Sequence, residues 1–186
     1  TCVDAAAWSQ AASAVHDSGT RLVSLWGTLN DRAAAVHVAY ALPAGLFWLE
    51  LPLSEGDPAT PRYYPDLARL FPAAGRMQRA CADLTGLHAA GASDQRAWFN
   101  HGAWPSDYRP LQNPAPPPPA MGAVQDYPFV RVEGDGVHEI AVGPVHAGII
   151  EPGHFRFSIV GEKVLRLEQR LGYVHKGIEQ RLTQLD

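Results

Sequence analysis

The spacing of apolar residues at the start of the chain predicts a helix followed by a meander of three strands. Apolar side chains recur at helical spacing over residues 4–17, and Asp4 stands where it can cap the helix. Apolar residues then dominate or alternate over residues 21–29, 36–42 and 46–53, as they do in strands. Short turns separate these segments, so the strands are predicted to pair as antiparallel neighbours.

Helical spacing returns after the meander. Pro65 suits the first turn of a helix, so a short helix is predicted from residue 65 until Pro72 breaks it. A second helix is predicted over residues 75–85, because Gly86 is a typical helix stop and one stripe is apolar: Met77, Ala80, Cys81 and Leu84. Helices that cover one face of the meander make this part an α+β domain.

A proline-rich segment divides the chain. Residues 105–119 contain seven prolines, a density that excludes regular elements. The segment is therefore predicted to be extended and to act as a semi-rigid connector. We assign residues 1–112 to a first domain, 113–123 to the linker and 124–186 to the truncated start of a second domain.

The second domain is predicted to contain a β-hairpin. A short strand is expected at residues 137–142, and two further strands, at 155–160 and 163–171, flank a tight turn at Gly161. A helix is expected to start at residue 177. Because the sequence opens without a Met and stops within this helical pattern, we expect it to be a piece of a longer protein.

Composition narrows the classes of function. The 186 residues are 46% hydrophobic and 18% charged, which suffices for a core and excludes a disordered tail. The net charge of −4 argues against nucleic-acid binding, which needs a basic face. No apolar run approaches the roughly 20 residues that span a bilayer. Cys2 and Cys81 are the only cysteines, which excludes a disulfide scaffold and any four-cysteine metal or iron–sulfur site within this chain.

Histidines and glutamates of the second domain are the candidates for chemistry. A metal site could be drawn from His138, Glu139, His146, Glu151 and His154. Their spacing matches no compact ligand pattern, and surface or hydrogen-bonded histidines explain it better. Glu151 lies among apolar and turn residues, a setting in which a raised pKa would let it pass protons. On the residues alone, an exposed carboxylate in a turn is the simpler interpretation of Glu151.

The first domain offers fewer candidates. Cys81 lies on the apolar stripe of a predicted helix and is interpreted as a core residue. His101 and Trp104 indicate an ordered loop that is buried or contacts a partner rather than one that performs catalysis. The sequence contains no glycine-rich phosphate loop and no serine-centred nucleophile elbow.

Two motifs of the second domain resemble a known family. Gly-Pro-Val-His at residues 143–146 and Gly-Tyr-Val-His-Lys-Gly-Ile-Glu at residues 172–179 resemble the start of the large subunit of membrane-associated group 4 nickel–iron hydrogenases, such as formate hydrogenlyase and hydrogenase-4. The same two motifs occur in the homologous quinone-site subunit of respiratory complex I.

The first domain is similar to the small complex I subunit that is fused ahead of the large one in these hydrogenases. The similarity rests on the order of helix and meander, on Pro-Asp-Leu-Ala-Arg-Leu-Phe-Pro-Ala-Ala at 65–74, on Asp-Leu-Thr-Gly-Leu at 83–87 and on Tyr-Arg-Pro-Leu at 108–111. It departs at residues 76–79, where Arg-Met-Gln-Arg replaces the acidic stretch that the family usually carries.

The resemblance implies roles for four residues. Complex I carries a quinone-contacting His at the position of Ile150, whereas hydrogenases of this group carry a Glu at the next position, here Glu151. It therefore implies that Glu151 is a proton gate, with His146 beside it in the catalytic region. It also implies that His175 and Lys176 lie near the proximal iron–sulfur cluster of a partner subunit, where a cation would raise the cluster's potential.

The function implied by the resemblance is interconversion of protons and hydrogen by the full-length protein. No cofactor is expected in this chain, because the family's nickel cysteines lie further along the large subunit. The full-length protein would hold the nickel–iron centre, and a partner would hold a 4Fe–4S cluster. Expected partners are the iron–sulfur small subunit and other subunits, including a membrane arm, on the cytoplasmic side of the cytoplasmic membrane. A complex I-type quinone reductase fusion and a non-catalytic assembly module stay open as alternatives.

Overall fold

The first half of the chain folds into two helices, a four-stranded main sheet and a separate pair of parallel strands. The computed structural model describes residues 1–30, 33–54, 61–113, 116–117, 119–145, 148, 151–174 and 176–182. In chain order the elements of this half are α1 Ala5–Asp17, β1 Arg21–Asn30, β2 Ala34–Leu42, β3 Gly45–Leu53, β4 Arg62–Pro65, α2 Ala74–Thr85, β5 Leu87–Ala90 and β6 Gln112–Asn113.

The predicted first helix is confirmed, including its cap. The Asp4 carboxylate accepts a hydrogen bond from the Ala7 amide at 2.8 Å, which satisfies one of the free amides of the first turn. The buried face of α1 is Trp8, Ala12 and Val15, spaced as an amphipathic helix requires. The Trp8 indole is fully buried and meets the Tyr64 ring edge-on, with 6.4 Å between the ring centres.

The predicted meander is also confirmed. Strands β1 and β2 pair antiparallel, as do β2 and β3, so that Val38 lies opposite Leu25 on one side and opposite Leu49 on the other. These inward residues alternate along each strand with outward ones, and the inner face forms the main hydrophobic core. Residues 1–3 extend the sheet beyond β3, through a bridge between Cys2 and Glu50.

The short helix predicted to begin at Pro65 is wrong. Pro65 instead ends strand β4, which pairs in parallel with β5, an element that the sequence did not predict. The pairing buries Tyr64 against α1, and the side-chain amide oxygen of Gln78 accepts a hydrogen bond from the Leu67 amide just beyond the strand. The second predicted helix is confirmed as α2, and Gly86 ends it in the left-handed conformation.

The prediction that residues 105–119 contain no regular element is wrong in one place. Gln112 and Asn113 form β6, which pairs in parallel with the end of β1 and so extends the main sheet by one short strand. Further along, the Gly122 amide donates to the Ala103 carbonyl at 2.7 Å, and the Gln125 amide donates to the His101 carbonyl. The segment that follows the prolines therefore packs back on the first half of the chain.

The second half forms a three-stranded antiparallel sheet, which we call the second sheet and which confirms the predicted strand and hairpin. Its elements are β7 Val137–Val145, β8 Gly153–Val160, β9 Lys163–Arg170 and the short helix α3 Ile178–Leu182. The strand order is β7-β8-β9, and β7 is one edge of the sheet. The fold is α+β, as the sequence predicts.

Gly27 tests how closely α2 packs on the main sheet. A Cβ atom at residue 27 would lie 2.7 Å from the Cys81 sulfur and 2.8 Å from the Thr85 hydroxyl, both on α2. We expect Gly27→Ala to lower the free energy of unfolding in urea by about 1–3 kcal/mol, the usual cost of overpacking a core.

Gly75→Ala is the matched control. A Cβ atom at residue 75 would lie 3.7 Å from the Cβ of Ala68, an ordinary van der Waals distance. This variant should keep or gain stability, by up to about 1 kcal/mol, because glycine weakens a helix. Equal unfolding free energies for the two variants would contradict the close packing of α2 on β1.

Candidate functional site

The antiparallel strands bring two of the sequence-predicted site residues to the same end of the second sheet. Glu151 precedes β8, and Lys176 follows β9. Pairing of His154 with Arg170 places the start of β8 beside the end of β9. The segments that flank these strand ends therefore meet there, although Glu151 and Lys176 are far apart in sequence.

Glu151 and Lys176 form an ion pair. The Lys176 ammonium nitrogen lies 3.1 Å from Oε1 of Glu151, and the two side chains are 65% and 51% exposed, respectively. An ion pair that is this exposed contributes at most about 1 kcal/mol to stability. The described residues do not enclose Glu151 in the apolar setting that the sequence suggests, so the simpler interpretation, an exposed carboxylate in a turn, describes its surroundings here.

His146 and His175, the other two predicted site residues, lie outside the described residues. The same holds for Ile150, whose position distinguishes the hydrogenase pattern from the quinone pattern in the resemblance. The structure therefore brings together one residue of each pair that the resemblance implies, Glu151 from the catalytic pair and Lys176 from the cluster-facing pair.

The described histidines and glutamates from which a metal site could be drawn have separate contacts, and His146 lies outside the described residues. Glu139 forms an ion pair with Arg156 at 3.5 Å, and His154 packs its ring against Phe129 with 5.3 Å between the ring centres. His138 lies on the exposed strand β7. Within the ranges that the structure covers, no three His, Cys, Asp or Glu side chains cluster as a metal ion would need.

Asp83 of the Asp-Leu-Thr-Gly motif anchors a loop that reaches the second sheet. Its Oδ2 accepts hydrogen bonds from three consecutive amides, those of Trp98, Phe99 and Asn100, at 2.6–2.9 Å. Such bonds to a carboxylate are roughly twice as strong as neutral ones. The motif thus has a physical role, because it fixes the loop that carries His101.

The anchored loop meets the glycine of the second hydrogenase-like motif. The buried His101 ring donates from Nε2 to the Leu171 carbonyl at 2.7 Å, and burial lowers the pKa of this histidine. Gly172 has a positive φ of 87°, and a Cβ there would lie 2.8 Å from the Phe99 carbonyl oxygen. Only glycine accommodates both the backbone conformation and this close approach. His101 is therefore a packed loop residue, as predicted.

Arg79 on α2 holds the preceding part of the same loop. This almost fully buried guanidinium donates to the carbonyls of Arg96 and Ala97, to the Asp94 carboxylate at 3.1 Å and to the Tyr127 hydroxyl at 2.6 Å. It also lies 5.0 Å from the centre of a ring of Trp98. Arg79 belongs to the Arg-Met-Gln-Arg stretch that departs from the family pattern. These contacts are therefore made by a residue of that departing stretch.

A buried carboxylate, Glu168 on β9, completes a charged cluster between the two halves of the chain. Its Oε1 lies 2.8 Å from Nη2 of Arg96, and its Oε2 accepts from the Val130 amide at 2.6 Å. Arg166 approaches Oε1 at 3.2 Å, and Arg96 is in turn held by Asp94. We call Arg79, Asp94, Arg96 and Glu168 the interface cluster.

Sequence reasoning missed the interface cluster. Charged residues that alternate with leucine along β9 are typical of a solvent-facing strand surface, and nothing local distinguishes Glu168 from Arg166 or Arg170. The one signal in the sequence is the departure at residues 76–79, where an arginine stands beside the apolar stripe of the predicted helix.

Comparison with known proteins confirms the relationship that the motifs indicate. The family described as "Respiratory-chain NADH dehydrogenase, 30 Kd subunit" matches residues 1–119. The chain is 36% identical over 126 residues to hydrogenase-4 component G of Escherichia coli (strain K12), which is 65% of this chain and 22% of that protein. It is 32% identical over 160 residues to formate hydrogenlyase subunit 5 of the same strain, which is 81% of this chain and 27% of that protein.

A shorter match extends to a third hydrogenase. The chain is 45% identical over 42 residues to the carbon monoxide-induced hydrogenase of Rhodospirillum rubrum, which covers 23% of this chain and 12% of that protein. The chain spans about a quarter of the length of the two Escherichia coli relatives it matches.

The interface cluster predicts an acid-sensitive contact between the halves of the chain. The hydrogen bond from Arg96 lowers the pKa of Asp94 below its ordinary 3.8. Burial by itself raises the pKa of Glu168, but hydrogen bonds from Arg96 and Val130 outweigh it and leave the pKa below the ordinary 4.5. Carboxyl groups with lowered pKa contribute stability that is complete above their ordinary pKa and is lost as the pH falls through the folded-state values. Hydrogen-exchange protection of β9, corrected for intrinsic rates, should therefore decline below about pH 4.

Glu168→Gln should flatten this decline, because an amide does not titrate. The variant should already be less protected at neutral pH, by about 1–3 kcal/mol, since a charged hydrogen-bond partner is lost. Glu162→Gln, in the exposed turn between β8 and β9, is the control and should keep the full acid dependence. An acid dependence that is unchanged in Glu168→Gln would refute the assignment.

Proposed function

The chain belongs to the family of the 30 kDa subunit of respiratory-chain NADH dehydrogenase, and from this membership we propose that it is the N-terminal region of the large subunit of a group 4 nickel–iron hydrogenase. In this proposal residues 1–112 dock the subunit within its complex, and residues 124–186 begin the catalytic domain. The full protein interconverts protons and hydrogen and passes electrons to an iron–sulfur subunit. Similarity to hydrogenase-4 component G and to formate hydrogenlyase subunit 5 supports this assignment.

The single structural observation that supports a proton-handling role is the ion pair between Glu151 and Lys176. It links the segment after the Gly-Pro-Val-His motif to the Gly-Tyr-Val-His-Lys motif, at a distance of 3.1 Å. In the proposal the Glu151 carboxylate accepts and releases protons, and the Lys176 ammonium orients it. A carboxylate can perform this step if its surroundings match its pKa to the reaction. Enclosure of Glu151 by the remainder of the subunit would supply such surroundings.

The cysteines of this chain do not fit the nickel–iron centre of such enzymes. Nickel in these proteins needs paired thiolates, and the chain has two cysteines in unrelated places. Cys2 is exposed at the edge of the main sheet, whereas Cys81 is buried in α2, where burial raises the pKa of its thiol to about 11. A thiol with so high a pKa is a poor metal ligand. We therefore place the centre in the rest of the large subunit and derive no step through it.

The docking role proposed for the first domain is supported by the interface cluster. Arg96 ties the loop after β5 to β9, and Arg79 ties the same loop to α2. Ion pairs and hydrogen bonds of this kind fix the relative orientation of packed elements. In the proposal the first domain thereby holds the strand ends around Glu151 and Lys176 in place against the partner subunits.

Partners and location follow from the same proposal. The iron–sulfur small subunit would face Lys176 and bring its 4Fe–4S cluster, and further subunits would connect to a membrane arm. None of the helices in the described part of the chain is long and apolar enough to cross a bilayer. We propose peripheral association with the cytoplasmic side of the cytoplasmic membrane.

A complex I-type quinone reductase is the second candidate. The observation that favours it is the family match itself, because the matching family is named for a subunit of NADH dehydrogenase. The acidic residue at position 151 argues for the hydrogenase, since a carboxylate suits proton delivery in a closed pocket, whereas a histidine suits hydrogen bonding to a quinone. Quinone-site inhibition without hydrogen production would support this second candidate.

Glu151→Gln in the full-length complex tests the proton role. The amide keeps the shape of the side chain but cannot carry a proton between groups. We expect the rate of hydrogen production to fall by about 100-fold or more, the usual contribution of a positioned acid or base. Glu162→Gln, which changes an exposed glutamate of the hairpin turn, should leave the rate unchanged.

Nickel content must be measured in the same preparations. Normal nickel with a depressed rate in Glu151→Gln supports the proton role, because the metal centre has then been assembled. An unchanged rate removes Glu151 from the mechanism. A full-length protein that lacks nickel altogether contradicts the hydrogenase assignment and leaves an assembly module.

A further inference from the structure

One face of the second sheet is apolar across all three strands. The register places Ile140 of β7 opposite Phe157 of β8, and Phe157 opposite Leu167 of β9. In the next row Val142 lies opposite Phe155. Because side chains alternate along a strand, these five residues share one face of the sheet. We call them the apolar face.

The apolar face is open to solvent. Ile140 is 45% exposed, Val142 is 39% exposed and Leu167 is 42% exposed. Contiguous apolar patches are uncommon on the surfaces of monomeric soluble proteins, and they mark sites that another surface covers. The register also places Gln169, opposite Phe155, and His138, two residues before Ile140, on this face. The five apolar residues form a continuous group between these polar positions, so the surface that covers them is expected to be apolar as well.

The opposite face of the same sheet is already occupied. Ser158 and Glu168 are buried there, and Glu168 is held by Arg96 and the Val130 amide. The polar face of this sheet thus packs inward on the first half of the chain, and the apolar face points outward. Antiparallel sheets with one solvated face usually have the reverse arrangement: the apolar face packs on the core, and the polar face meets water.

Two further features of the second half share this lack of cover. Ile178 and Leu182, one helical turn apart on α3, are both exposed. The strand β7 is also uncovered at the edge of the sheet, where it has no second partner strand among the described residues. Exposed edges of this kind are normally protected in a folded protein.

We propose that the apolar face is covered by the same polypeptide, through a segment of the large subunit outside residues 1–186. This inference rests on the proposed function, which assigns the chain to a longer subunit. The matched stretch covers only 27% and 22% of the two Escherichia coli relatives, so proteins of this kind carry much further chain to bury. Cover from the same chain, rather than from a second copy, also accounts for the exposed apolar residues Ile178 and Leu182 of α3.

The test is site-resolved thiol labelling of the isolated full-length subunit. Val142→Cys changes side-chain volume little, and Glu162→Cys places a matched thiol in the exposed hairpin turn. Both are made with Cys2→Ser, because Cys2 is exposed, whereas the buried Cys81 serves as an internal standard. We expect the thiol at residue 142 to react with a maleimide at least roughly tenfold more slowly than the thiol at 162, because a covered thiol reacts only through local opening.

Leu167→Cys, which places a thiol opposite Phe157 on the apolar face, is the second variant and should be protected in the same way. Equal labelling rates at residues 142 and 162 in the monomeric subunit would overturn the inference. Protection that appears only in a dimer, or only after other subunits bind, would overturn it as well, because another chain then covers the face. Labelling needs neither nickel nor activity, so a protected subunit without nickel would retain this inference while the proposed function fails.

Discussion

The buried carboxylate of Glu168 is the constraint on which the arrangement of the two halves depends. A charge that is taken out of water must be compensated by partners, or the fold loses several kcal/mol. Here Arg96 and the Val130 amide supply this compensation, from the loop after β5 and from the segment after the prolines. If either segment moved away from β9, Glu168 would lose one of the partners that compensate its buried charge.

This constraint extends back to the main sheet through α2. Arg79 donates hydrogen bonds to the carbonyls of Arg96 and Ala97, and Asp83 accepts hydrogen bonds from the amides that follow. Two charged residues on one helix thus hold a loop that has no regular structure of its own. The loop in turn presents Arg96 to Glu168 and His101 to the turn after β9. The position of Lys176 and Glu151 therefore depends on a chain of contacts that begins in α2.

Most of the regular elements could be predicted from the sequence, because each has a local cause. The meander follows from alternation, α1 from its cap and α2 from its apolar stripe and its glycine stop. The error at Pro65 has a tertiary cause, since β4 exists only through its pairing with β5, more than twenty residues away. Strand β6 is likewise induced by the edge of β1 rather than by its own sequence.

The candidate site could be predicted only in part. The motifs identified Glu151 and Lys176 but implied separate roles, one beside the metal and one beside the cluster. Their ion pair depends on the register between β8 and β9, which periodicity alone does not reveal. The interface cluster left almost no trace in the sequence, because its members come from α2, a loop and β9 and meet only in the folded protein.

A double-mutant cycle on Arg96 and Glu168 measures whether this pair couples the two halves of the chain. The free energy of unfolding would be measured for the parent chain, for Arg96→Met, for Glu168→Met and for the double variant. Each single change removes one partner of a charge that is largely taken out of water and should cost about 2–3 kcal/mol, although Asp94 still pairs with Arg96 and Arg166 with Glu168. The double variant should cost clearly less than the sum, with a coupling energy of about 1–3 kcal/mol. Effects that add within about 0.5 kcal/mol would mean that the two side chains do not depend on each other. That result would contradict the role of Glu168 in fixing the arrangement of the two halves.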